Sequence, residues 1–292
     1  MSVGRTARNC VFAIPRWSAE ATWDGDAGYA AAAYPLSNLG TLPLLYVWRT
    51  TGVDADRTWF VGTLPQRRPV RCISIVAHNL TSVAEFELDL WDNPTRTGSP
   101  MFSTRDDVYP RIYPWVIRRW EDPYFFGGRP SDAELAAYRR IRPIWLPETF
   151  RVQSFRLRLI DEANPAGYLQ VGLCDVAWGW QTSVNFNWGH QFGPSVQTRV
   201  EETESGEPIF DERPQRLIHR ISIDDMPRDE VMVRAFDLIR SHDAVRPFTF
   251  VPDPGEPQHW LRDVVFARLM PPEPFTRRIG NGASFTWTLK EY

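Results

Sequence analysis

Two stretches of the chain alternate clearly between apolar and polar side chains. They are EFELDLWD (85–92) and FRVQSFRLRLID (150–161), in which the polar positions are mainly acidic in the first and mainly arginine in the second. A period of two is the pattern of a strand with one face in a core and the other in solvent. Both stretches therefore predict half-buried β-strands. Their inward-facing residues are Phe86, Leu88, Leu90, Phe155, Leu157 and Leu159.

Further strands are predicted by short apolar runs bounded by turn residues. The first are LLYVWRT (44–50) and residues 59–61, followed by VRCISIVAHNL (70–80), which is apolar on both faces as in a central strand. YLQVGLCDVAWGW (168–180) closes the series. Many short strands at this spacing, with few helices, predict a mainly β fold that begins with a β-sandwich of the jelly-roll type.

A long proline-, arginine- and aromatic-rich stretch, residues 93–130, interrupts the predicted sandwich. A connection of this length is usually functional or packed against a partner. SDAELAAYRR (131–140) follows it, and there Ser131 and Glu134 have the S-x-x-E spacing of a capping box, which predicts a short helix. The sandwich is therefore predicted to carry one long excursion, residues 93–147.

The pattern changes after Trp180. Residues 196–224 predict a hairpin made of a first strand, an acidic turn at 204–206 and the long alternating strand RLIHRISI (216–223). Residues 227–243 predict a helix with Asp225 near its N-terminal cap. The apolar face of that helix comprises Val231, Ala235, Leu238 and Ile239. Three further strand-like runs are PFTFVPD (247–253), LRDVVFARLM (261–270) and ASFTWTLKEY (283–292).

The chain is thus predicted to have three parts. Residues 1–27 show no sustained period and are expected to form an N-terminal arm whose order depends on docking. Residues 28–180 are expected to form the β-sandwich, and residues 181–292 a smaller C-terminal β-domain that carries one α-helix. No internal repeat of fixed period relates the two halves.

Composition argues against several classes of protein. The formal net charge is −3 and the arginines are scattered, so nucleic-acid specificity is not expected. No 18 apolar residues run together and the N-terminus is weakly apolar, so we predict neither membrane insertion nor a signal peptide. Cys72 and Cys174 lie in apolar runs and are expected to be buried thiols of a protein that folds in a reducing compartment.

The sequence contains no motif of a common catalytic or metal-binding class. Its histidines lie far apart, and two of them, His78 and His219, fall within predicted strands, where a histidine with satisfied structural hydrogen bonds is expected. We therefore expect no enzymatic activity, no metal and no cofactor. The full set of histidines is His78, His190, His219, His242 and His259.

Paired carboxylates are the remaining route to catalysis, because many glycosidases hold two of them about 5–10 Å apart. Asp89 and Asp92 on one strand, or Glu201, Glu202 and Glu204 in the acidic turn, are the candidates. The first pair has the pattern of a strand's solvent face, and the other three have that of a solvated turn. Glycoside hydrolysis is therefore not favoured.

Aromatic residues offer two interpretations. On sandwich loops they can stack on a pyranose ring, and at protein–protein interfaces tryptophan, tyrosine and arginine are enriched. We favour the interface and keep the saccharide site as the alternative. The residues of that alternative site are Trp115, Trp120, Tyr124 and Phe125, with Trp23 and Phe126 as further loop aromatics.

The order of several short motifs resembles that of minor tail proteins of long-tailed phages, which begin with a galactose-binding-like (discoidin-like) sandwich. The C-terminal part, which ends in ASFTWTLKEY, is similar to the ring-forming part of the same tail-tip proteins. The resemblance covers residues 28–292, apart from the 93–147 excursion. The motifs are YPLSNL (34–39), VWRTTG (47–52), ISIVAHNL (73–80), VGLCDVAWGW (171–180) and NFNWGHQFG (185–193).

This resemblance implies a structural protein of the virion, made in the host cytoplasm and placed at the tail tip (distal tail or baseplate). Its partners would be copies of itself in a ring, sixfold as in related tail tips, with tail-tube, hub and fibre proteins and a host-surface glycan. Long loops, arginines and tryptophans suit the heterologous contacts of a ring. The alternative function is that of a carbohydrate-binding β-sandwich protein that recognises a cell-surface glycan.

Residues 177–193 (AWGWQTSVNFNWGHQFG) fall where the predicted sandwich ends and the predicted C-terminal domain begins. Trp178 and Trp180 are two residues apart and would face the same side of an extended strand. Together with Trp188, they are predicted to pack at the domain junction. Replacing Trp178 or Trp180 by alanine would then cost about 3 kcal/mol each if the side chain is fully buried.

Overall fold

The fold is described from a computed structural model, which covers residues 9–26, 28–113, 120–121, 127–202, 205, 207–211, 213–242, 245–277 and 282–292. The chain separates into two compact units. The larger, called the sandwich unit below, comprises Phe12–Trp180 and Asp253–Val264. The smaller, called the C-terminal unit, comprises Met1–Val11, Gln181–Pro252 and Val265–Tyr292.

The secondary structure is mainly β, and the ladders between the strands are antiparallel, as the predicted fold class requires. The strands are β1 (Val11–Phe12), β2 (Thr22–Gly25), β3 (Trp48–Arg49), β4 (Trp59–His78), β5 (Glu85–Trp91), β6 (Phe102–Asp107), β7 (Ile141–Ile160), β8 (Gln170–Ala177), β9 (Trp180–Gln181), β10 (Gln191–Ser195), β11 (Arg199–Glu202), β12 (Pro208–Asp211), β13 (Arg216–Pro227), β14 (Phe248–Val251), β15 (Val265–Leu269), β16 (Thr276–Arg277) and β17 (Gly282–Glu291).

Helices are short. The α-helices are α1 (Asp132–Ala136), α2 (Arg228–Glu230), α3 (Phe236–His242) and α4 (Trp260–Asp263), and a π-helical stretch, Val231–Ala235, joins α2 to α3. The 3-10 helices are Ser18–Glu20, Leu36–Gly40 and Pro257–His259. None of the helices in the described part of the chain combines the length and the apolar character needed to cross a bilayer.

The sandwich unit is built on two long strands, β4 and β7, which pair with each other along most of their length. The strand order is β3-β8-β4-β7-β5-β6, with β2 added to β4. The ladder between β4 and β7 shifts register twice, between Thr63 and Arg68 and between Val70 and Cys72. Such irregularities bend a strand, and they let β4 and β7 contribute to both layers of the sandwich.

A large hydrophobic core lies between these layers, and Ala13, Cys72 and Ala177 form a separate small cluster. The large core joins Ile73 and Val171, from β4 and β8, to Leu88 and Leu157, from β5 and β7. The six residues predicted to face inward on β5 and β7 are all buried, which confirms the period-two prediction. The β-sandwich follows from this burial and from the strand pairing.

Two predicted strands, 59–61 and 70–80, are parts of one strand, β4. Pro65 and Pro69 lie between them, and prolines usually mark strand ends or bulges. Here Pro65 lies within the first register shift and Pro69 pairs with Arg151 between the two shifts, so the strand continues through both prolines.

The predicted 93–147 excursion is interrupted by regular structure, since β6, α1 and the first residues of β7 lie inside it. The capping box at the start of α1 is confirmed. Ser131 Oγ accepts from the backbone N–H of Glu134 at 3.3 Å, and the Glu134 carboxylate accepts from the backbone N–H of Ser131 at 2.9 Å. Such reciprocal bonds satisfy two backbone donors that a helix start otherwise leaves unpaired.

Residues 1–27 do not form a separate arm, which corrects the sequence-based expectation for the residues described there. Strand β2 pairs with β4, and Trp23 on it packs edge-on against Phe60 and Phe155 with ring centroids 5.9 Å apart in each case. The N-terminal segment therefore joins the sandwich as a strand, although its sequence shows no sustained period.

The C-terminal unit is organised by a sheet with the strand order β10-β13-β17-β15-β14-β1-β9, with β16 paired to β17. Strands β1 and β9 contain the points where the chain passes from one unit to the other. One face of the central strands is buried, as Ile221, Ile223, Phe285, Trp287 and Leu289 show. This face forms the core of the unit.

The predicted C-terminal helix is present, and three of its four predicted apolar positions, Val231, Ala235 and Leu238, are buried. Its start differs from the prediction. Pro227 occupies the cap position, and Asp225 has a left-handed backbone (φ 57) at the irregular end of β13 instead of capping the helix.

Between β10 and β13 the chain forms a separate two-stranded sheet of β11 and β12. This sheet is called the arm below and is distinct from the N-terminal arm predicted for residues 1–27. A hairpin is thus present, but its second strand is β12 and not the predicted strand 216–223, which lies in β13 and pairs with β10 and β17. Outside the arm, β10 and β13 pair from Gln191↔Arg220 to Ser195↔Arg216. In the arm, Val200 pairs with Phe210 and Glu201 pairs with Ile209.

Candidate functional site

The titratable groups of the described residues do not form a metal-binding cluster. No group of three or more histidine, cysteine or carboxylate side chains in the described ranges is placed to hold a metal ion. Cys10, Cys72 and Cys174 are buried and free, and burial raises the pKa of the Cys10 and Cys72 thiols to about 12. Such thiols are protonated and inert near neutral pH.

The candidate carboxylates are held by arginines. Asp89 on β5 lies 2.8 Å from Arg156, and Asp92, which follows the end of β5, lies 3.1 Å from Arg67. Glu201 and Glu202 are exposed on the arm, and Glu204 lies outside the described residues. The arrangement is that of surface ion pairs and a solvated hairpin, which supports the sequence-based interpretation.

His78 departs from the expectation of a structurally satisfied histidine. It is buried in β4, and neither ring nitrogen has a hydrogen-bond partner among the described residues. Burial, followed by the charges of Arg140 and Arg142, lowers the pKa of His78 to about 3. The ring is therefore neutral at ordinary pH and acts as a packed aromatic group against Tyr109, 5.7 Å away between ring centroids.

The predicted saccharide site on the sandwich loops falls largely outside the described residues. Trp115, Tyr124, Phe125 and Phe126 are not described, whereas Trp120 is, with 72% of its side chain exposed. The location of a site built from these residues thus stays a prediction.

Trp23, the remaining loop aromatic, lies on strand β2 and is half-buried. A cavity of about 340 Å³ lies beside it, lined also by Ser18, Ser37, Gly40 and Thr41. The indole ring makes T-shaped contacts with two core phenylalanines, and its Nε1 is buried without a hydrogen-bond partner among the described residues, so the ring belongs largely to the core. This cavity is therefore a weaker candidate for a saccharide site.

Three tryptophans of the 177–193 stretch have different environments. Trp180 is 3% exposed and stacks on Phe12 at 5.2 Å, Trp178 is half-buried, and Trp188 is fully exposed, at 105%. Strand β8 ends before Trp178, and Gly179 has φ +76. The predicted common face of Trp178 and Trp180 is therefore wrong, because the chain between them is not extended.

Trp188 lies in a turn whose conformation depends on both flanking residues, Asn187 and Gly189. Gly189 supplies the left-handed backbone (φ +95) that the turn requires. The backbone N–H of Asn187 donates to Ser222 O at 2.8 Å, and its side-chain amide donates to Asp224. The indole is thus presented to solvent from a fixed backbone, so the chain itself does not bury it.

A cavity of about 190 Å³, called the Trp188 cavity below, opens beside this ring. Three strands and the turn build it, because Ser222 on β13 pairs with Thr286 on β17, and the cavity lies at the end of β10. Besides Gly189, seven residues line the cavity, and all of them except Trp188 carry polar side chains. They are Asn187, Trp188, His190, Gln191, Arg220, Ser222 and Thr286.

His190 forms the rigid side of the cavity. Its Nε2 lies 3.0 Å from Nδ1 of His219, and its ring is stacked between neighbours, with centroids 4.5 Å from Phe186 and 5.3 Å from Phe192. Partial burial lowers the pKa of His190. The ring is therefore neutral at ordinary pH, and the stack fixes its position.

The Trp188 cavity combines an exposed aromatic face with donors and acceptors of several kinds. Its volume is below the roughly 300–1,000 Å³ of pockets that hold drug-sized ligands, so it fits one small ring. Indole faces pack against apolar ring surfaces, and amide, hydroxyl and guanidinium groups bond hydroxyl or carboxylate oxygens. The cavity can therefore hold a small ring that presents an apolar face together with hydroxyl or carboxylate oxygens.

The sequence drew attention to Trp188 and His190 but missed Arg220, Ser222 and Thr286. These residues belong to strands whose sequences carry only an alternating pattern. They reach Trp188 through the register of β13 with β17, which a local pattern does not specify.

Comparison with known proteins does not assign a family. No family model matches the chain, and no curated protein matches it. Similar solved structures include carbohydrate-binding modules and a family 89 glycoside hydrolase of Clostridium perfringens, all matched at low sequence identity.

The family 32 carbohydrate-binding module of Clostridium perfringens NanJ, solved with galactose, is 13% identical with a TM-score of 0.37, and the match covers 57% of this chain and 98% of that module. For chitosan-binding module 1 of a Paenibacillus chitosanase/glucanase the identity is 11%, the TM-score 0.36 and the coverage 56% and 98%. A fucose-binding module of Streptococcus pneumoniae is 10% identical with a TM-score of 0.32, covering 54% and 89%. At these TM-scores no argument rests on the likeness.

Proposed function

We propose that the protein is a non-catalytic saccharide-binding protein and that the Trp188 cavity is its binding site. The observation that carries this proposal is a fully exposed indole, held on an anchored turn, beside a small cavity lined by hydrogen-bonding side chains. The absence of a metal-binding cluster among the described residues is compatible with binding alone.

Each side of the cavity has a distinct part in this function. The indole of Trp188 stacks on the apolar face of one sugar ring, while Asn187, Gln191 and the hydroxyls of Ser222 and Thr286 bond ring hydroxyls. Arg220 adds a cation at the rim, which favours sugars that carry a carboxylate over their neutral counterparts.

Glycan-array screening of the full chain, followed by calorimetry on the best ligand, tests this proposal. Trp188→Ala is expected to weaken binding by about 30-fold, the effect of losing a contact worth ~2 kcal/mol. Trp120→Ala is the matched control, because Trp120 is also an exposed tryptophan but lies in the other unit, and it should bind as the wild type.

Two results would contradict the proposal. One is a wild-type chain that binds no glycan on the array. The other is a Trp188→Ala variant with unchanged affinity, and if Trp120→Ala then lost binding instead, the site would lie on the sandwich loops, as the alternative in the sequence analysis has it.

A second candidate function is that of a structural component of an assembly, specifically the tail tip of a long-tailed phage particle, as the motif order implies. The arm favours it, because Val200, Ile209 and Phe210 keep more than half of their side-chain surface exposed. Exposed apolar surface of this kind is typical of sites that other proteins cover.

Immunogold labelling and proteolytic mapping of purified phage particles test this candidate. A structural component should be present in stoichiometric amount at one end of the tail, and its gene disruption should leave tails incomplete. Particles that are complete without the protein would contradict the structural role but leave the saccharide-binding proposal intact.

A further inference from the structure

We infer that the arm of one copy of the protein docks on the outward face of the C-terminal unit of a second copy. The outward face is the side of the sheet β13-β17-β15 that carries Arg216, Ile218, Arg220, Arg268 and Lys290. This inference deepens the structural candidate function, since it names the partner, and it does not depend on saccharide binding. Its basis is the exposure of the arm together with the opposite charges of the arm and of that face.

The arm is incomplete as an isolated element. It consists of two four-residue strands outside the main sheet, and a two-stranded hairpin alone is at best marginally stable in water. Val200 and Phe210 are directly opposite each other, so their side chains share one face, while Ile209 lies on the other. All three are exposed, so the apolar surface of the arm is left for another molecule to cover.

The arm is also acidic. Residues 199–213 contain six carboxylates and two arginines, which gives a net charge of −4. Of the carboxylates in the described part, Glu201 and Glu202 are exposed, and Asp211 is paired with Arg213 at 2.7 Å. A partner surface must therefore offer positive charge as well as apolar contact.

The outward face of the main sheet carries that charge. Ile218 is opposite Lys290, and Lys290 is opposite Arg268, so these three side chains share one face. Arg216 and Arg220 lie two residues to either side of Ile218 on β13 and point the same way.

Few ion pairs within one copy neutralise the cations of the outward face. Arg220 forms a long ion pair with Glu273 at 3.7 Å, and no ion pair within the described ranges involves Arg268 or Lys290. The outward face therefore presents Ile218 and the arginine stems as apolar contacts, with four cations around them. Arginine also stacks on aromatic rings, which suits Phe210 of an incoming arm.

The contact is heterologous, since an arm meets a sheet face rather than another arm. Each copy then has one free arm and one free face, so copies add in sequence until the rotation between them closes a ring or continues as a filament.

Sedimentation velocity of the full chain over a range of concentrations tests this contact. Wild type should self-associate, and added salt should weaken association because the contact is partly ionic. The arm variant Val200→Ser/Phe210→Ser and the face variant Arg268→Glu/Lys290→Glu should both stay monomeric. Val245→Ser, which removes an exposed valine elsewhere in the unit, is the matched control and should associate as the wild type.

Mixing the two variants gives the sharper test. The arm variant keeps an intact face and the face variant keeps an intact arm, so an equimolar mixture should form a one-to-one complex that does not grow. Folding of each variant is verified by circular dichroism and thermal unfolding before mixing.

Several outcomes would overturn the inference. They are a wild type that stays monomeric at every concentration, an arm variant or a face variant that associates as the wild type, and folded variants that do not complement each other. Saccharide binding is also measured on the arm variant. Because this variant should stay monomeric, its saccharide affinity tests the proposed binding site independently of self-association.

Discussion

His190 and His219 are hydrogen-bonded to each other, with Nε2 of the first 3.0 Å from Nδ1 of the second and the two rings stacked at 20°. An N–H···N bond needs one nitrogen that is not protonated, so the pair is lost when both rings become imidazolium. Since His190 lines the Trp188 cavity, the protonation state of this pair controls one wall of the proposed site.

Acid is therefore expected to weaken saccharide binding. Burial lowers the pKa of folded His190 below the value of about 6.5 of an unfolded histidine, so its neutral form is favoured in the fold. The stability that the fold gains from the neutral ring is complete above pH ~6.5 and is lost as pH falls through the lowered folded value, so this wall of the cavity should loosen over the same range. Calorimetry across this range should show affinity falling in acid, and His190→Gln, which hydrogen-bonds but does not titrate, should flatten the profile. An identical acid response in both proteins would exclude this pair as the cause.

Three tryptophans provide a graded stability series. Trp180 is buried against Phe12, so Trp180→Ala should cost about 3–5 kcal/mol of unfolding free energy. Trp178→Ala should cost less, because that side chain is half-buried, and Trp188→Ala should change stability by no more than about 0.5 kcal/mol. Urea unfolding of the three variants measures the order. Equal losses at Trp178 and Trp180 would instead support their proposed common role at the domain junction.

The ion pair of Arg16 and Asp175 should matter far more than a surface pair. Asp175 is fully buried, with Arg16 Nε at 2.5 Å and Ser18 Oγ at 3.0 Å. Arg16→Met removes a close cation from a buried carboxylate and should cost about 3 kcal/mol. Arg57→Met, which breaks an exposed pair with Asp26 at 2.8 Å, is the control and should barely move the urea midpoint. Similar shifts in both variants would contradict the assigned burial of Asp175.

His78 should make the sandwich unit sensitive to acid. Its folded pKa of about 3 lies below the unfolded value of about 6.5, so the unfolded chain binds the proton first as pH falls. Stability from this group is complete above pH ~6.5 and should fall by about 1.4 kcal/mol per pH unit down to pH about 3. His78→Leu should remove this part of the slope in urea titrations at successive pH values, whereas the exposed His259→Gln should keep it.

Local patterns predicted those parts of the fold that local physics determines. Burial of Leu88 and Leu157 follows from strict alternation, and the start of α1 follows from the pairing of Ser131 with Glu134. Each signal depends on residues within a few positions of each other, so no knowledge of distant partners is needed.

The features that were missed depend on backbone exceptions or on distant pairing. Gly179 breaks the strand between two tryptophans, and a Cβ there would lie 2.8 Å from the Trp145 ring, so the glycine permits a bend that alternation does not anticipate. The Trp188 cavity needs Ser222 and Thr286 side by side, which only the register of β13 with β17 provides. No spacing in the sequence encodes that juxtaposition.

Lys290 is the only lysine of the chain, and it lies near the middle of the outward face, opposite Ile218 and Arg268. Amine-directed chemistry at mildly alkaline pH therefore has a single side-chain target in this protein. With the α-amine blocked, a fluorophore attached there would report on that face, without any engineered cysteine and with the three buried thiols untouched. Because it contains one lysine, the wild-type protein has a single lysine side chain at which a spectroscopic label can be attached.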